Sequence, residues 1–354
     1  NHFTSPAIVN GRKTTRKVSY VYFRSLLDFL DFNCYITLEK GGVDKFTFKN
    51  GYYEILESTS TSCVFQRKLN DLYNTVGDHP AEQLTNVIFL KNKKKEFVTF
   101  NTPSHVKEKK EYIDAYNKFS LENVVSGRDR VYDVQIYKVY NDSSFKRGAR
   151  SFMRDSIQGL PKEERLKLKV NGNKLCCYDY KAFEPSITYS MSQEVMECED
   201  PYQIELEGFD DKLLRKLCKK ALLIMLNAES KQEAKEAFNY TIAKEHNLDK
   251  LFEEYKIPTK YIPSNIIMQK LEEKHHLISH RFYKGMGKEV MYVGSLINDY
   301  VVGSMMQNHK VLVLSTHDDF MCDESYRETL YNTMVEGYSY VTGVAENCRI
   351  TKEQ

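Results

Sequence analysis

The stretches KLCCYDY at residues 174–180 and KVLVLSTHDDFMCDES at residues 310–325 decide the fold. The first predicts a short buried strand that ends near Asp179, and the second predicts a strand, a tight turn and another strand. The apolar run VLVL carries Asp318 and Asp319 to the end of its strand. Carboxylates at the ends of buried strands are costly unless a cation or a hydrogen-bond donor faces them. Taken alone, each acid is more often a turn residue or a helix cap, so neither is diagnostic without the other.

A pair of carboxylates in this setting suits hard cations. Asp179 and Asp318 could hold two Mg²⁺ ions, which prefer oxygen ligands, with Mn²⁺ as the alternative ion. Two metal ions can clamp the attacking and the leaving oxygen of a phosphoryl displacement. The pair therefore points to phosphoryl transfer.

Apolar periodicity predicts four helices after the first acidic strand. They span residues 211–226, 230–246, 265–283 and about 288–308. Asp210 or Asp211 is the expected N-cap of the first helix, because a short acidic side chain there accepts hydrogen bonds from free main-chain amides.

A cationic row lies on the first of these helices. Arg215 and Lys219 are four residues apart and project from the same face, and Leu223 and Asn227 continue the row. A basic pair aimed at a cleft with two metal ions would suit a triphosphate. The alternative is an ordinary amphipathic helix with a basic solvent side.

The composition restricts the class of protein. The 354 residues carry 51 basic and 49 acidic side chains, which excludes a polybasic, histone-like protein but allows local basic patches. None of the eight cysteines forms a C-x-x-C pair, so a zinc ribbon and a thioredoxin-like site are not expected. Scattered cysteines are typical of a reduced, cytoplasmic protein, and no apolar run is long enough for a membrane span.

Two lysine-rich runs lie in the N-terminal part of the chain, KNKKK at residues 91–95 and KEKK at residues 107–110. Such runs are usually solvated loops. The functional alternative is contact with the phosphates of a nucleic acid.

The order of the motifs resembles that of family A DNA polymerases over residues 147–325, about half of the chain. The first family motif, D-Y-x-x-x-E, is similar to residues 179–184, DYKAFE. The second, R-x-x-x-K-x-x-x-[FY]-x-x-x-Y-G, is matched by Arg215 and Lys219. The third, H-D-E, or H-D-S in single-subunit phage RNA polymerases, is similar to residues 317–319, HDD, which follow a family-like helix, VGSLINDYVVGSMM.

This resemblance implies an α+β, right-hand polymerase fold with a palm built on an antiparallel sheet, helical fingers and a thumb. Residues 1–140 would form an N-terminal region with the thumb and the first palm elements. The palm with the first motif would span 141–210, the finger helices 211–285, and the palm with the H-D-D motif 286–354. No room would remain in this chain for a proofreading exonuclease domain.

The resemblance also implies roles for the motif residues. Asp179 and Asp318 would hold the two Mg²⁺ ions, with Asp319 as an accessory acid. Arg215 and Lys219 would bind the incoming triphosphate, and Lys219 could also protonate the pyrophosphate leaving group.

Further residues follow by position in the motifs. The nucleotide pocket would include Tyr180, Glu184, Leu223 and Asn227 besides the two cations, and the primer–template would be contacted by Arg150, Gln158, Arg165 and His317. In the DNA polymerases a Glu at the position of Glu184 crowds the space beside C2′ and rejects ribose. Leu223 and Asn227 stand where the family has aromatic residues, so we expect a loose pocket with low fidelity or unusual substrates.

The resulting expectation is a template-directed DNA polymerase that extends a primer 3′ end with dNTPs in the cytoplasm of a bacterial host. An RNA polymerase, a primase-like enzyme or an untemplated nucleotidyltransferase of a phage or mobile element is the alternative, since H-D-D is slightly closer to the RNA polymerase motif. A non-catalytic nucleic-acid binder is the third. A processivity partner, the pathway and the priming mechanism are left open by the sequence.

Overall fold

The computed structural model describes residues 82–127, 130–155, 157–245 and 262–353, together with short strands among residues 1–80. The chain forms two compact units, Asn1–Pro80 and Ala81–Gln354. The described strands of the first unit are β1 Ala7–Val9, β2 Arg12–Thr14, β3 Ile36–Glu39, β4 Val43–Lys49, β5 Tyr52–Ser58 and β6 Ser62–Phe65. They pair antiparallel, β1 with β2, β3 with β6 and β4 with β5. The predicted palm, fingers and thumb boundaries stay a prediction.

The second unit contains two sheets. Their strands are β7 Ile88–Lys91, β8 Phe97–Val98, β9 Val125–Gly127, β10 Arg130–Tyr132, β11 Ile136–Asn141, β12 Ser144–Met153, β13 Lys169–Val170, β14 Asn173–Tyr180, β15 Leu314–Thr316, β16 Asp319–Asp323 and β17 Ile350–Glu353. One sheet has the order β10-β9-β13-β14-β16-β15, with β17 also paired to β14, and its pairs are antiparallel. The other has the order β12-β11-β7-β8, in which β7 and β11 run parallel.

The helices of this unit lie between groups of these strands. They are α1 Ser104–Leu121, α2 Lys162–Arg165, α3 Phe183–Met191, α4 Asp211–Asn227, α5 Lys231–Glu245, α6 Ser264–Lys274, α7 Gly287–His309 and α8 Arg327–Thr342. The α+β class and the four predicted helices are confirmed. The third of them, α6, ends at Lys274 instead of 283, because the chain continues through a separate 3₁₀ turn, Ser279–Arg281.

The start of α4 follows the predicted capping chemistry. The Asp210 side chain accepts hydrogen bonds from the amides of Lys212 and Leu213, both at 3.0 Å. Asp211 is the first helical residue, so Asp210 is the N-cap. The cap fixes where the helix starts and thereby which residues share the face of Arg215.

Two apolar cores hold the second unit together. One lies between the seven-stranded sheet and helices α1, α3, α7 and α8, and the other lies among α4, α5 and α6. Helix α7 approaches α3 closely because Gly294 has no side chain, and a Cβ there would lie 3.0 Å from the Phe183 ring. Among the helices that the structure describes, none combines the length and the apolar character needed to cross a bilayer.

Candidate active site

Two neighbouring elements bring three aspartates together. Asp179 on β14 lies opposite Asp319 on β16 in the antiparallel register. Asp318 occupies the two-residue turn between β15 and β16, and its carbonyl accepts a hydrogen bond from the Tyr180 amide at 3.0 Å. The other turn residue, His317, has a left-handed φ of 65°, which helps the chain to reverse within two residues. The predicted strand, turn and strand are confirmed, and the structure places the three acids side by side.

The site carries uncompensated negative charge. Burial, together with the neighbouring Asp319, raises the pKa of Asp179 to about 6. Burial and the charges of Asp179 and Glu184 raise the pKa of Asp318 to about 7. Arg165 forms an ion pair with Asp319 at 2.7 Å, but no described cation lies within ion-pair distance of Asp179 or Asp318.

The cationic row of α4 reaches toward these acids. The positive charge of Lys219 lowers the pKa of Asp179, although burial outweighs it. Arg215 forms an ion pair with Asp200, with 2.5 Å from Nε to Oδ2. Both cations lie beside the ring of Tyr202, Arg215 at 5.4 Å and Lys219 at 5.8 Å from the ring centroid. Arg215 and Lys219 therefore interact with Asp200, Tyr202 and Asp179 and do not only face solvent.

A cleft open to solvent adjoins Asp318. Its walls come from β12, α3, α7 and the β15–β16 turn, with Phe183 and Val290 as apolar lining. Arg150 and Glu184 enter it from opposite walls, and their side chains approach to 4.0 Å. Apolar walls with a few converging charged groups are typical of a small-molecule site.

Arg165 and His317 lie within the acidic site. Besides its ion pair with Asp319, the Arg165 guanidinium donates to the Leu160 carbonyl at 3.2 Å. Burial, together with the charges of Arg150 and Arg165, lowers the pKa of His317 to about 4, so the imidazole is neutral at pH 7. Contact of either residue with a primer–template stays a prediction.

The amide of Gln158 is occupied by main-chain groups. Its side-chain nitrogen, Nε2, donates hydrogen bonds to the carbonyls of Ser151 at 3.1 Å and Ser315 at 3.3 Å. Its Oε1 accepts a hydrogen bond from the Met153 amide at 3.3 Å. Gln158 thus ties β12 to β15. A direct contact with nucleic acid stays a prediction and would require some of these bonds to be released.

The nucleotide contact predicted for Tyr180 needs correction. Successive strand residues point to opposite faces, so Tyr180 faces away from Asp179 and is 1% exposed. Its hydroxyl donates to the Met334 carbonyl at 2.6 Å, and its ring stacks on Phe183 at 4.8 Å. Tyr180 therefore supports the cleft residue Phe183 from behind.

Leu223 and Asn227 lie at the far end of the α4 row. Leu223 is 43% exposed, and its carbonyl accepts a hydrogen bond from the side-chain Nδ2 of Asn227 at 2.7 Å. Asn227 also packs against the start of α7, where a Cβ on Gly287 would lie 1.9 Å from its Oδ1. The structure places Asn227 at the α4–α7 junction, and the nucleotide contacts of both residues stay predictions.

Sequence reasoning missed the loop before α4. Asp200 pairs with Arg215 and accepts a hydrogen bond from the Tyr202 amide at 2.9 Å. Burial, with the charge of Glu184 nearby, raises the pKa of Tyr202 far above its ordinary value. The available signal was the triplet Asp-Pro-Tyr at 200–202, an acid and an aromatic shortly before a cationic helix.

The donor set fits Mg²⁺ that is shared with a substrate. Among the described residues no group of three or more His, Cys, Asp and Glu side chains could hold a metal ion alone. Mg²⁺ commonly takes only one or two protein carboxylates, keeping water and substrate phosphates as its other ligands. Burial, and then the neighbouring acidic charges, raise the pKa values of Asp179 and Asp318, and such a cation would favour the ionised form of both carboxylates.

Comparisons with known proteins add little. No family model and no curated protein matches the chain. Among solved structures, the polymerase domain of Pol1 from M. smegmatis, in complex with DNA primer–template and dNTP, aligns at 12% identity with a TM-score of 0.35. The alignment covers 79% of this chain and 59% of that domain. A TM-score this low supports no conclusion of its own.

Proposed function

We propose that this chain is a template-directed DNA polymerase that adds dNTPs to the 3′ end of a primer by two-metal nucleotidyl transfer. The observation that carries the proposal is the cluster of Asp179, Asp318 and Asp319 on adjacent strands, with Lys219 close enough to lower the pKa of Asp179. The motif order in the sequence supports it independently.

The chain's own groups divide the work. Asp179 and Asp318 would hold the metal ions, which when bound supply Lewis-acid stabilisation of charge on the transferring phosphoryl group. Arg215 and Lys219 would bind the triphosphate, and Lys219 would donate a proton to the departing pyrophosphate. Arg215 is 41% exposed in its ion pair with Asp200, so its guanidinium can turn toward a phosphate without leaving a buried charge behind.

Sugar choice is the role we propose for Glu184. Its carboxylate enters the cleft opposite Arg150, next to Asp318, and would occupy the space that a ribose 2′-hydroxyl needs. The exposed, aliphatic Leu223 offers no aromatic platform for the incoming base. The lack of an aromatic platform favours low fidelity. An RNA polymerase, a primase-like enzyme or an untemplated transferase is the second candidate.

The partners follow from this chemistry. They are a primer–template nucleic acid, bound through its phosphates and therefore with an affinity that falls with salt, and dNTPs. The described cysteines are free thiols, which supports a reducing compartment, and we propose the cytoplasm of a bacterial host. A phage or another mobile element is the source we propose.

Extension of a labelled primer on a DNA template with Mg²⁺ tests the function. We expect dNTPs to be incorporated in preference to rNTPs, and Asp318→Ala to lose the activity while still binding primer–template. Extension with rNTPs, or without regard to the template, would support the second candidate. Duplex binding without extension on any substrate would contradict an autonomous polymerase.

A further inference from the structure

The four-stranded sheet has two different faces. On β11, Ile136, Lys138 and Tyr140 are buried, whereas Tyr137 and Val139 between them are partly exposed. The buried face packs toward the apolar cores, with Tyr140 and Leu90 in one cluster. The other face is partly open to solvent.

An aromatic row crosses this second face from strand to strand. Phe97 on β8 lies 5.6 Å from Phe89 on β7, Phe89 lies 5.5 Å from Tyr137 on β11, and Tyr137 lies 5.7 Å from Phe152 on β12, all between ring centroids. Phe97, at the outer end, is 64% exposed, and the other three rings are partly exposed. With strands about 4.8 Å apart, the row extends over roughly 14 Å.

Positive charge borders the outer end of the row. The ammonium of Lys91 lies 4.7 Å from the Phe97 ring centroid. The turn between β7 and β8 exposes Lys93, Lys94 and Lys95, the run in which sequence alone could not separate a solvated loop from a phosphate contact. The acid nearest in sequence, Glu96, accepts a hydrogen bond from the Asn92 side chain at 2.9 Å.

The inner end of the row adjoins the cleft. Phe152 lies two residues from Arg150 on β12, so both side chains start from the same face of the sheet. Arg150 pairs with Val139 in the register, and its guanidinium reaches the cleft wall opposite Glu184. Arg150 therefore links the sheet face that carries the rings to the cleft.

We infer that this face binds single-stranded nucleic acid, with unpaired bases stacked on the aromatic row and phosphates held by the basic turn. Aromatic rings can stack on the face of any unpaired base, whereas the bases of a duplex already stack on each other. Lysines next to the rings favour a polyanion over an apolar protein partner. If the proposed polymerase function is right, this strand is the unpaired part of the template.

Anisotropy of the full chain with labelled oligothymidine, and with a labelled hairpin duplex for comparison, tests the inference. Phe97→Ala should weaken binding of the single strand on the order of five- to a hundred-fold, and Phe97→Tyr should retain it. The control is Tyr340→Ala, which removes another exposed ring that also has one ring neighbour, Tyr300. This variant should bind the single strand with unchanged affinity.

Salt dependence tests the basic turn separately. The triple variant Lys93→Gln, Lys94→Gln, Lys95→Gln should flatten the slope of log affinity against log salt by about 2. The control triple Lys167→Gln, Lys169→Gln, Lys174→Gln removes the same charge from exposed positions of the other sheet and should leave the slope unchanged.

The outcomes keep the two proposals apart. Asp318→Asn should bind the strand as the unaltered chain does, so binding is measured whether or not extension occurs. Template-directed extension with strand binding unaffected by Phe97→Ala would overturn the inference and leave the polymerase standing. An equal loss of duplex binding in Phe97→Ala would also overturn the inference. A lower melting temperature of Phe97→Ala without a change in strand binding would overturn it as well, because the chain itself would then cover this face.

Discussion

At the scale of single residues, the clustered acids lower the stability of the free protein and are the groups that we propose to bind metal ions. Asp179 and Asp318 are partly buried, lie close enough to repel each other and lack an ion-pair partner among the described residues, and both pKa values rise toward neutrality. Such groups destabilise a protein in the absence of a ligand, and they are retained where a ligand restores the balance. Asp319 differs because Arg165 already neutralises it.

Removing one of these charges should therefore stabilise the free protein. In metal-free buffer near pH 8, Asp318→Asn should raise the free energy of unfolding by roughly 1–3 kcal/mol, because the amide carries no charge to bury. Mg²⁺ should raise the melting temperature of the unaltered chain and should have little effect on the variant.

The matched control is Glu207→Gln, which neutralises an exposed acid outside the cleft and should leave both the stability and the Mg²⁺ response unchanged. An Asp318→Asn chain that is less stable than the unaltered chain, or that responds equally to Mg²⁺, would contradict the assignment of Asp318 as a metal ligand.

The sequence predicts site residues whose signal lies in adjacent residues, and it does not predict residues whose role depends on distant contacts. Asp179 and Asp318 were visible because each follows a short apolar run. Asp200 and Tyr202 were not, because their role depends on an ion pair and on ring contacts with α4 that only the folded chain brings together. Tyr180 was misassigned because it adjoins a motif acid, although the strand turns its side chain to the opposite face.

At the scale of elements, a buried ion pair holds the strand that presents Arg150. Lys138 is fully buried, lies 2.9 Å from the Asp299 carboxylate of α7 and donates to the Ala149 carbonyl at 2.9 Å. Ala149 has a left-handed φ of 59° at an irregularity in the β11–β12 register. The ammonium thus fixes the bulge from which the next residue, Arg150, enters the cleft.

Substitutions can separate this positioning role from stability. Lys138→Met should cost up to about 3 kcal/mol, because it removes a buried ammonium and leaves Lys109 as the ion-pair partner of Asp299. Adding Asp299→Leu should recover part of that loss, because it removes the buried carboxylate, while Lys109, which lies 2.5 Å from Asp299 and is 24% exposed, keeps its access to solvent. Primer extension should stay reduced in the stable double variant, and full activity in it would refute positioning through Ala149.

A buried histidine makes the helical region sensitive to acid. The Nδ1 of His275 lies 3.0 Å from the Tyr189 hydroxyl and its Nε2 lies 2.8 Å from the Pro201 carbonyl, next to Tyr202. Burial lowers its pKa to about 4. The unfolded chain, with an ordinary pKa near 6.5, therefore takes up a proton first as the pH falls.

This shift predicts a pH dependence of stability with a definite sign. The contribution of neutral His275 is fully present above about pH 6.5 and is lost as the pH falls toward 4, by about 2 kcal/mol between pH 7 and pH 5. Urea unfolding of His275→Gln should show a smaller loss over this interval than the unaltered chain. An identical loss in both would show that His275 does not cause it.

Elements with local signals were predictable, and those set by long-range pairing were not. The start of α4 followed from Asp210, and the helix before the H-D-D turn followed from its apolar pattern. The sheet β12-β11-β7-β8 gave no comparable signal, because its parallel β7–β11 pair joins residues about 50 positions apart along the chain. A buried lysine such as Lys138 also contradicts the usual polarity rule.

At the scale of the whole second unit, charged groups from several elements surround the acidic site and the cleft that adjoins Asp318. The acidic end of the seven-stranded sheet provides Asp179 and Asp318, α4 provides Arg215 and Lys219, and the four-stranded sheet leads to the cleft through Arg150. Each set lies on a different element, and the combination suits an enzyme that holds a nucleotide and a strand at the same time.

Single-nucleotide incorporation on templates that differ only in the templating base tests this account most directly. With Mg²⁺ present, the incorporated dNTP should change with each templating base, and Asp179→Asn should lose incorporation while it still binds the primer–template. Incorporation that does not follow the templating base, or that persists unchanged in Asp179→Asn, would contradict a template-directed polymerase centred on Asp179 and Asp318.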